Sequence, residues 1–324
     1  MIPKTSNSSF IYTFNYDYHH EELCKMECRQ MFGAKMTNKL LFSDRKLDPS
    51  ISPFIKLRLD IIASASNYTT FLSRIKEQHI ELHDFKVEYL ILDGDDTPKY
   101  DRREKQKDIG YCIEGRPDFE NPIITYALCH YDNIWHFGSV KKENVAWHKH
   151  RQKPHSFSNS IGTIIAKTLV TMASKGVPGS KLLDACCGVG TVMLEACISG
   201  IHIDGCDINV RAYQQALKNL QYYTYTAHLY HADIKDLEQQ YDAAIIDLPY
   251  NLYSITKEDI ASHIITATAT LSDRLIIVSI ADIESVIVAA GLQVIDYCTV
   301  VKRGKSFFTR KIWVCENKFI QDNE

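Results

Sequence analysis

The chain has 324 residues, 45% of them hydrophobic, and its 37 Lys and Arg stand against 40 Asp and Glu for a net charge of -3. That length favours about two domains with sizeable cores, and the near-neutral balance excludes a globally basic nucleic-acid binder, so any basic surface is local. No CxxC spacing, no charged-then-apolar leader and no apolar run of about 18 residues occurs, so the expectation is a cytoplasmic protein with free thiols, no metal site and no membrane segment.

In chain order, "SFIYTFNY" reads as a strand, "EELCKMECRQMFG" as a helix closed by Gly33, and "PFIKLRLDIIAS" as a second strand. A helix from about Thr69 to Gln78 and a strand "FKVEYLIL" follow. The stretch "DGDDTPKYDRREKQKD" has almost nothing to bury and reads as a charged loop or a fraying helix start. "IITYALCHYDNIWHFGSV" alternates like a hairpin turning at Asp132 and Asn133. The segment "KKENVAWHKHRQK", with Trp147, reads either as a solvated linker or as an RNA-facing surface. A boundary near residue 150 then divides an α+β half, 1–150, from a second half, 151–324.

The second half begins with a helix, "IGTIIAKTLVTMAS", and continues as short apolar strands alternating with helices: "KLLDACC", "TVMLEACISG", "HIDGCDI", "VRAYQQALKNLQYY", "LYHAD", "DAAIIDLPY". That alternation predicts an α/β fold, a parallel sheet covered on both faces. "RLIIVSI" and "LQVIDYCTVVKRGKSFFTRKIWVCE" predict a further strand and a closing hairpin.

Three acids end three of these strands. Asp184 precedes a turn through Gly188 and Gly190 into a helix, a place where glycine lets the backbone approach a ligand and helix amides face it. Asp207 lies about 20 residues on, where an α/β nucleoside site needs a carboxylate for ribose hydroxyls; it also reads as a cap for the helix from Val210. Asp233 ends the third strand, where an acceptor could meet an adenine amino group or stand as a plain loop carboxylate. Met193 occupies the third glycine position of a G-x-G-x-x-G fingerprint, which argues against a nicotinamide site.

This pattern resembles the S-adenosylmethionine site of class I methyltransferases. The resemblance implies that Asp184, Gly188, Gly190 and Thr191 lie beside the methionine moiety, Asp207 and Ile208 at the ribose, and Asp233 and Ile234 at the adenine. At the end of the fourth strand "DLPY", residues Asp247, Leu248, Pro249 and Tyr250, resembles the (Asn/Asp)-Pro-Pro-Tyr motif of amino-group methyltransferases. An exocyclic amine is a poor nucleophile because its lone pair is delocalised. Acceptors on its N–H bonds, the Asp247 carboxylate and the carbonyl of residue 248, would favour sp3 geometry and the charge of attack, with Tyr250 stacking on the flat target. Leu248 stands where that motif has its first proline and leaves an additional N–H, while Pro249 biases it toward an extended conformation.

The chain as a whole resembles the tRNA guanine-10 N2-methyltransferases, on "PHSFSNSIGTIIAKTLVTMA", "LLDACCGVGT" and "DLPYN" in the second half. It departs from their pattern at Ala185, Cys186, Val189, Leu248 and Asn251. In the first half, "FIYTFNYDYHHEELCKMECRQMFG" and "KDIGYCIEGRPDFENPIITYALCHYDNIWHFG" are similar to a ferredoxin-like segment and a THUMP domain. The resemblance implies a Rossmann-like domain with a mostly parallel seven-stranded sheet, S-adenosylmethionine as cofactor, tRNA as partner, and in eukaryotic relatives a small activator subunit. Lys302, Arg303, Lys305 and Phe307 form a basic run with aromatics suited to RNA, or a lysine-protected strand edge. Amino-group transfer to DNA adenine or protein glutamine, and an inactive RNA-binding scaffold, stay open as alternatives.

Overall fold

The computed structural model describes residues 8–157, 160–249, 255–302 and 308–317, and of these the side chains of 255–259, 302 and 308 are left aside. Its elements begin with β1 (Phe10–Phe14), α1 (Glu21–Phe32), β2 (Leu40–Ser43), β3 (Ile55–Ala65), α2 (Tyr68–Lys76), β4 (Phe85–Tyr89), α3 (Lys99–Gly110), β5 (Ile124–Tyr131) and β6 (Ile134–Lys142). They continue with α4 (Thr163–Ser174), β7 (Lys181–Asp184), α5 (Thr191–Ile198), β8 (His202–Cys206), α6 (Val210–Tyr222), β9 (His228–Tyr230) and β10 (Ala243–Asp247). The last are α7 (Ile255–Ala269), β11 (Arg274–Ser279), α8 (Glu284–Ala289), β12 (Leu292–Lys302) and β13 (Phe308–Asn317).

Two compact units result. One comprises Met1–Asn15, Lys35–Ser50 and Phe54–Asn144; the other comprises Tyr16–Ala34, Ile51–Pro53 and Val145–Glu324. The chain therefore does not divide by a single cut near residue 150, because α1 leaves the first unit and joins the second.

The first unit is a six-stranded sheet in the order β2-β1-β3-β6-β5-β4, antiparallel except for the β4–β5 pair. Its β5–β6 hairpin turns at Asp132 and Asn133, with φ of 50° and 60°, the left-handed pair that a two-residue turn needs to follow strand twist. The charged stretch expected as a loop or a fraying helix start is non-helical over 93–98 and becomes helix α3 from Lys99. Ile109 is its buried side chain, which is why periodicity failed to reveal it.

The second unit is a seven-stranded sheet in the order β12-β13-β11-β10-β7-β8-β9. β7, β8, β9, β10 and β11 pair in parallel, and β13 is antiparallel to both β11 and β12. This is the Rossmann-like sheet of class I methyltransferases. Its central strands are buried on both faces, as β11 is at every residue, so they read as apolar runs. Met193, whose bulk replaces a close-packing glycine, fits because the neighbouring strand supplies that glycine: a Cβ on Gly205 of β8 would lie 2.4 Å from Met193 Sδ and 2.8 Å from Leu229 Cδ1.

Helix α1 is fixed to this unit by polar contacts as well as by Leu23, Met26 and Met31. Arg29 donates to Asp296 of β12 through Nε and Nη2 at 2.9 and 2.8 Å, Gln30 Nε2 donates to the same carboxylate at 2.8 Å, and Arg274 Nη2 donates to Gln30 Oε1 at 2.7 Å. Glu27 is fully buried and accepts from Ser52 Oγ at 2.6 Å and Thr171 Oγ1 at 2.5 Å. Burial pushes its carboxyl up to about 7, against the opposing pull of those two hydroxyls and of the Lys167 ammonium.

Two outcomes follow for stability. Gly205→Ala should destabilise by about 1–3 kcal/mol in denaturant melts, and the penalty should shrink in a Met193→Ala background; additive effects would remove the proposed contact. The folded chain holds the Glu27 proton more tightly than the unfolded chain, so that contribution to stability is full below about pH 4.5 and is lost as pH rises through about 7. The melting temperature of Glu27→Gln relative to the parent should therefore be higher at about pH 8 than at about pH 5.

Candidate active site

The site lies where strand order reverses, between β7 and β10, the point at which open α/β sheets bind ligands outside their carboxyl ends. β10, β7 and β8 are adjacent, and in register Asp184 stands level with Ile245 on one side and Gly205 on the other. Asp247 ends β10 and Asp207 follows β8, so three carboxylates share one rim.

Each is held differently. Asp184 is 1% exposed, and its Oδ2 is buried with no hydrogen-bond partner among the described residues. Its carboxyl is raised well above the usual range by burial first, then by the charges of Asp247 and Asp207. Asp207 accepts from the Gly188 N–H (Oδ2, 2.8 Å) and the Asn209 N–H (Oδ1, 2.8 Å), which ties the glycine turn to the end of β8. Burial raises its carboxyl against those two donors. It does not cap α6 as the alternative reading had it: Asn209 does, accepting from the N–H groups of Arg211 and Ala212.

The turn itself needs its glycines. Gly188 has φ 55° and Gly190 φ 79°, and a Cβ on Gly190 would meet the Cβ of Ala216 on α6 at 3.3 Å. Thr191 opens α5 and is buried. Cys186, half-buried, lies near all three carboxylates, and burial followed by the charges of Asp207 and Asp184 keeps it a thiol. All ten cysteines are free.

Of the two isoleucines expected beside the nucleoside, Ile208 is 69% exposed, whereas Ile234 is 4% exposed and belongs to the core. Asp233 accepts from His263 Nε2 at 2.9 Å and the Lys235 N–H at 3.2 Å; the His263 bond is the main reason its carboxyl sits below the usual range. His231 Nε2 donates to the Ile208 carbonyl at 3.2 Å. Neither histidine was legible in the sequence, since His263 reaches Asp233 from the distant helix α7.

Leu248 is buried, and its additional N–H donates to the Val278 carbonyl at 3.0 Å, extending the β10–β11 ladder by one bond. The donor that replaces the proline is thus satisfied, and the strand pairing restrains the peptide. Pro249 is exposed. Tyr250 and Asn251 lie outside the described residues, as do Arg303, Lys305 and Phe307; the backbone of Lys302 ends β12, paired with Phe308. Trp147, considered as an RNA-facing ring, is 3% exposed, flanked by Arg151 and Lys167, and cannot stack on a base. Among the described residues no cluster of acids, cysteines and histidines could hold a metal, and no helix is long and apolar enough to cross a membrane.

Residues 151–261 match the family UPF0020, described as RMKL-like, methyltransferase domain. The chain is 28% identical over 120 residues to a tRNA (guanine(10)-N2)-dimethyltransferase of Methanothermobacter thermautotrophicus, an alignment covering 36% of this chain and 35% of that protein. It is 23% identical over 260 residues to the tRNA (guanine(10)-N2)-dimethyltransferase of Methanocaldococcus jannaschii, covering 73% of this chain and 72% of that one. The crystal structure of TrmN from Thermus thermophilus aligns with 95% of this chain and 99% of its own at 13% identity and a TM-score of 0.46.

The cofactor of such a domain is S-adenosylmethionine, and the residues fit it. Its sulfonium and ammonium are cations, and the rim presents a buried, unpartnered carboxyl oxygen on Asp184 beside two further carboxylates. A cation placed there favours the charged form of Asp184 and opposes the burial, and the charges of Asp247 and Asp207, that raise its carboxyl. Binding of S-adenosylmethionine should therefore release a proton, read in calorimetry as a heat that depends on the buffer's ionisation enthalpy. S-adenosylhomocysteine, lacking the sulfonium charge, should release less, and Asp184→Asn should abolish the release; an unchanged buffer dependence in that variant would assign the proton elsewhere.

Proposed function

We propose, with the methyltransferase domain at residues 151–261 as premise, that this chain transfers a methyl group to the exocyclic N2 amine of a guanosine in the position-10 region of tRNA. The observation that carries the reading is the end of β10, where the Asp247 carboxylate meets the rim shared with Asp184 and the next peptide is held by the Leu248 N–H bond to Val278. The two archaeal relatives named for guanine-10 N2 dimethylation supply the substrate class.

S-adenosylmethionine, when bound, supplies an electrophilic methyl on a positively charged sulfur. The chain's own groups prepare the nucleophile. Asp247 accepts one N–H of the guanine amine and the Leu248 carbonyl accepts the other, which localises the nitrogen lone pair and stabilises the positive charge of attack. The proton that the amine gives up on methylation would pass to the Asp247 carboxylate. Tyr250 stacks on the base once it is swung out of its helix, and the first unit docks the tRNA. The presence of Asp207, Asp233 and Asp247 argues against an inactive scaffold.

Transfer of labelled methyl from S-adenosylmethionine to unmodified tRNA, followed by nucleoside analysis, should yield N2-methylguanosine. Label in DNA adenine or protein amide instead would replace the substrate. Asp247→Ala should lower transfer by about a hundredfold or more while leaving S-adenosylhomocysteine binding nearly unchanged. Loss of both together would move Asp247 from the amine to the cofactor.

A further inference from the structure

The 40 acidic residues of this chain are not spread evenly: residues 144–183 and residues 208–232 contain no Asp or Glu. In sequence the two stretches are separated by β7, α5 and β8. In the second unit the segment from Lys149 to His155 of the first stretch lies against α6 and the residues that follow it in the second. Asn219 of α6, fully buried, accepts from the His155 N–H at 3.0 Å and donates to the His155 carbonyl at 3.0 Å and the Val189 carbonyl at 2.8 Å. One turn on, the Tyr223 hydroxyl donates to the Lys149 carbonyl at 2.9 Å, and the Lys149 ammonium lies 5.6 and 5.3 Å from the Tyr223 and Tyr225 ring centres. His150 fixes the same join from below, between Glu195 at 2.9 Å and the Tyr225 hydroxyl at 3.0 Å.

The outcome is a face with cations and no exposed acid from either stretch. Lys149, Arg151, Arg211 and Lys218 are exposed, and none of them forms an ion pair among the described residues. Arg211, Lys218 and Tyr222 fall along one stripe of α6 at helical spacing. Tyr222 is 64% exposed and Phe157 40% exposed. Glu195, the carboxylate bonded to His150 at this join, is fully buried. Through Asn219 and Val189 the face borders the glycine turn of the cofactor pocket.

We propose that this face is the RNA-contacting surface of the methyltransferase unit, with Lys149, Arg151, Arg211 and Lys218 on phosphates and Tyr222 and Phe157 on unpaired bases. The inference rests on the tRNA reading above and deepens it. Exposed cations together with exposed aromatics suit a polynucleotide better than an acidic protein, which needs no stacking platform. A surface bordering the cofactor turn also suits a substrate whose target base must enter beside it.

The test is tRNA binding across a salt series by the full-length Lys149→Ala/Arg151→Ala/Lys218→Ala variant. Its affinity should fall about tenfold or more, and the slope of log affinity against log salt should become shallower by about two. Affinity for S-adenosylhomocysteine and the melting temperature should stay at parental values, and Lys175→Ala/Lys181→Ala, with Lys181 at the opposite end of β7, should leave tRNA binding unchanged. A triple variant that binds tRNA with parental affinity and slope overturns the surface, and loss of an acidic protein partner by that variant would reassign it. Parental protein that retains duplex DNA and not tRNA, with the loss carried by the same variant, overturns the tRNA reading alone. Parental protein that holds neither overturns both.

Discussion

The site depends on one constraint of the sheet: β10, β7 and β8 run parallel and adjacent, so the carboxyl ends of all three open on the same rim. Each of these strands terminates in or just before an aspartate. Three carboxylates are brought together at low exposure: burial raises the carboxyls of Asp184 and Asp207, and at Asp184 the charges of Asp247 and Asp207 add to it. Such a cluster is unfavourable until a cation joins it. The same feature that costs the free protein stability therefore selects a positively charged ligand.

The surrounding structure keeps that cluster in place. The Asp207 bond to Gly188 anchors the turn, the left-handed glycines let the backbone reverse over the strand ends, and Gly205 makes room for Met193 so that α5 can pack close to the sheet. On the other side of β7, the Leu248 N–H joins the β11 carbonyl and carries the ladder one residue beyond Asp247. Farther out, α1 is bound to this unit by the Arg29–Asp296 pair and the buried Glu27 network. A helix from the early chain is thus part of the methyltransferase unit's own packing.

The strand-end positions of the candidate site were legible because their signals are local. Asp184, the glycine turn, Asp207 and Asp247 each sit at a strand end, and strand ends can be read from apolar runs. The readings that failed concern burial and distant partners. Trp147 sits in a basic segment yet is buried, since its ring packs beneath Arg151 and Lys167. Asp207 looked like a helix cap, but Asn209, two residues on, is better placed for the first N–H groups of α6. Helix α3 stayed undecided between loop and helix start because its charged residues leave no apolar stripe.

By itself the sequence determined the alternation of strands and helices, the glycine turn and the acids at the strand ends, because these depend on spacing along the chain. Tertiary structure decided which strand ends are neighbours, that α1 joins the second unit, that His263 holds Asp233, and that Lys149 and His155 meet α6 and Tyr223. Those are contacts between residues far apart in sequence, and periodicity carries no information about which distant side chains will meet.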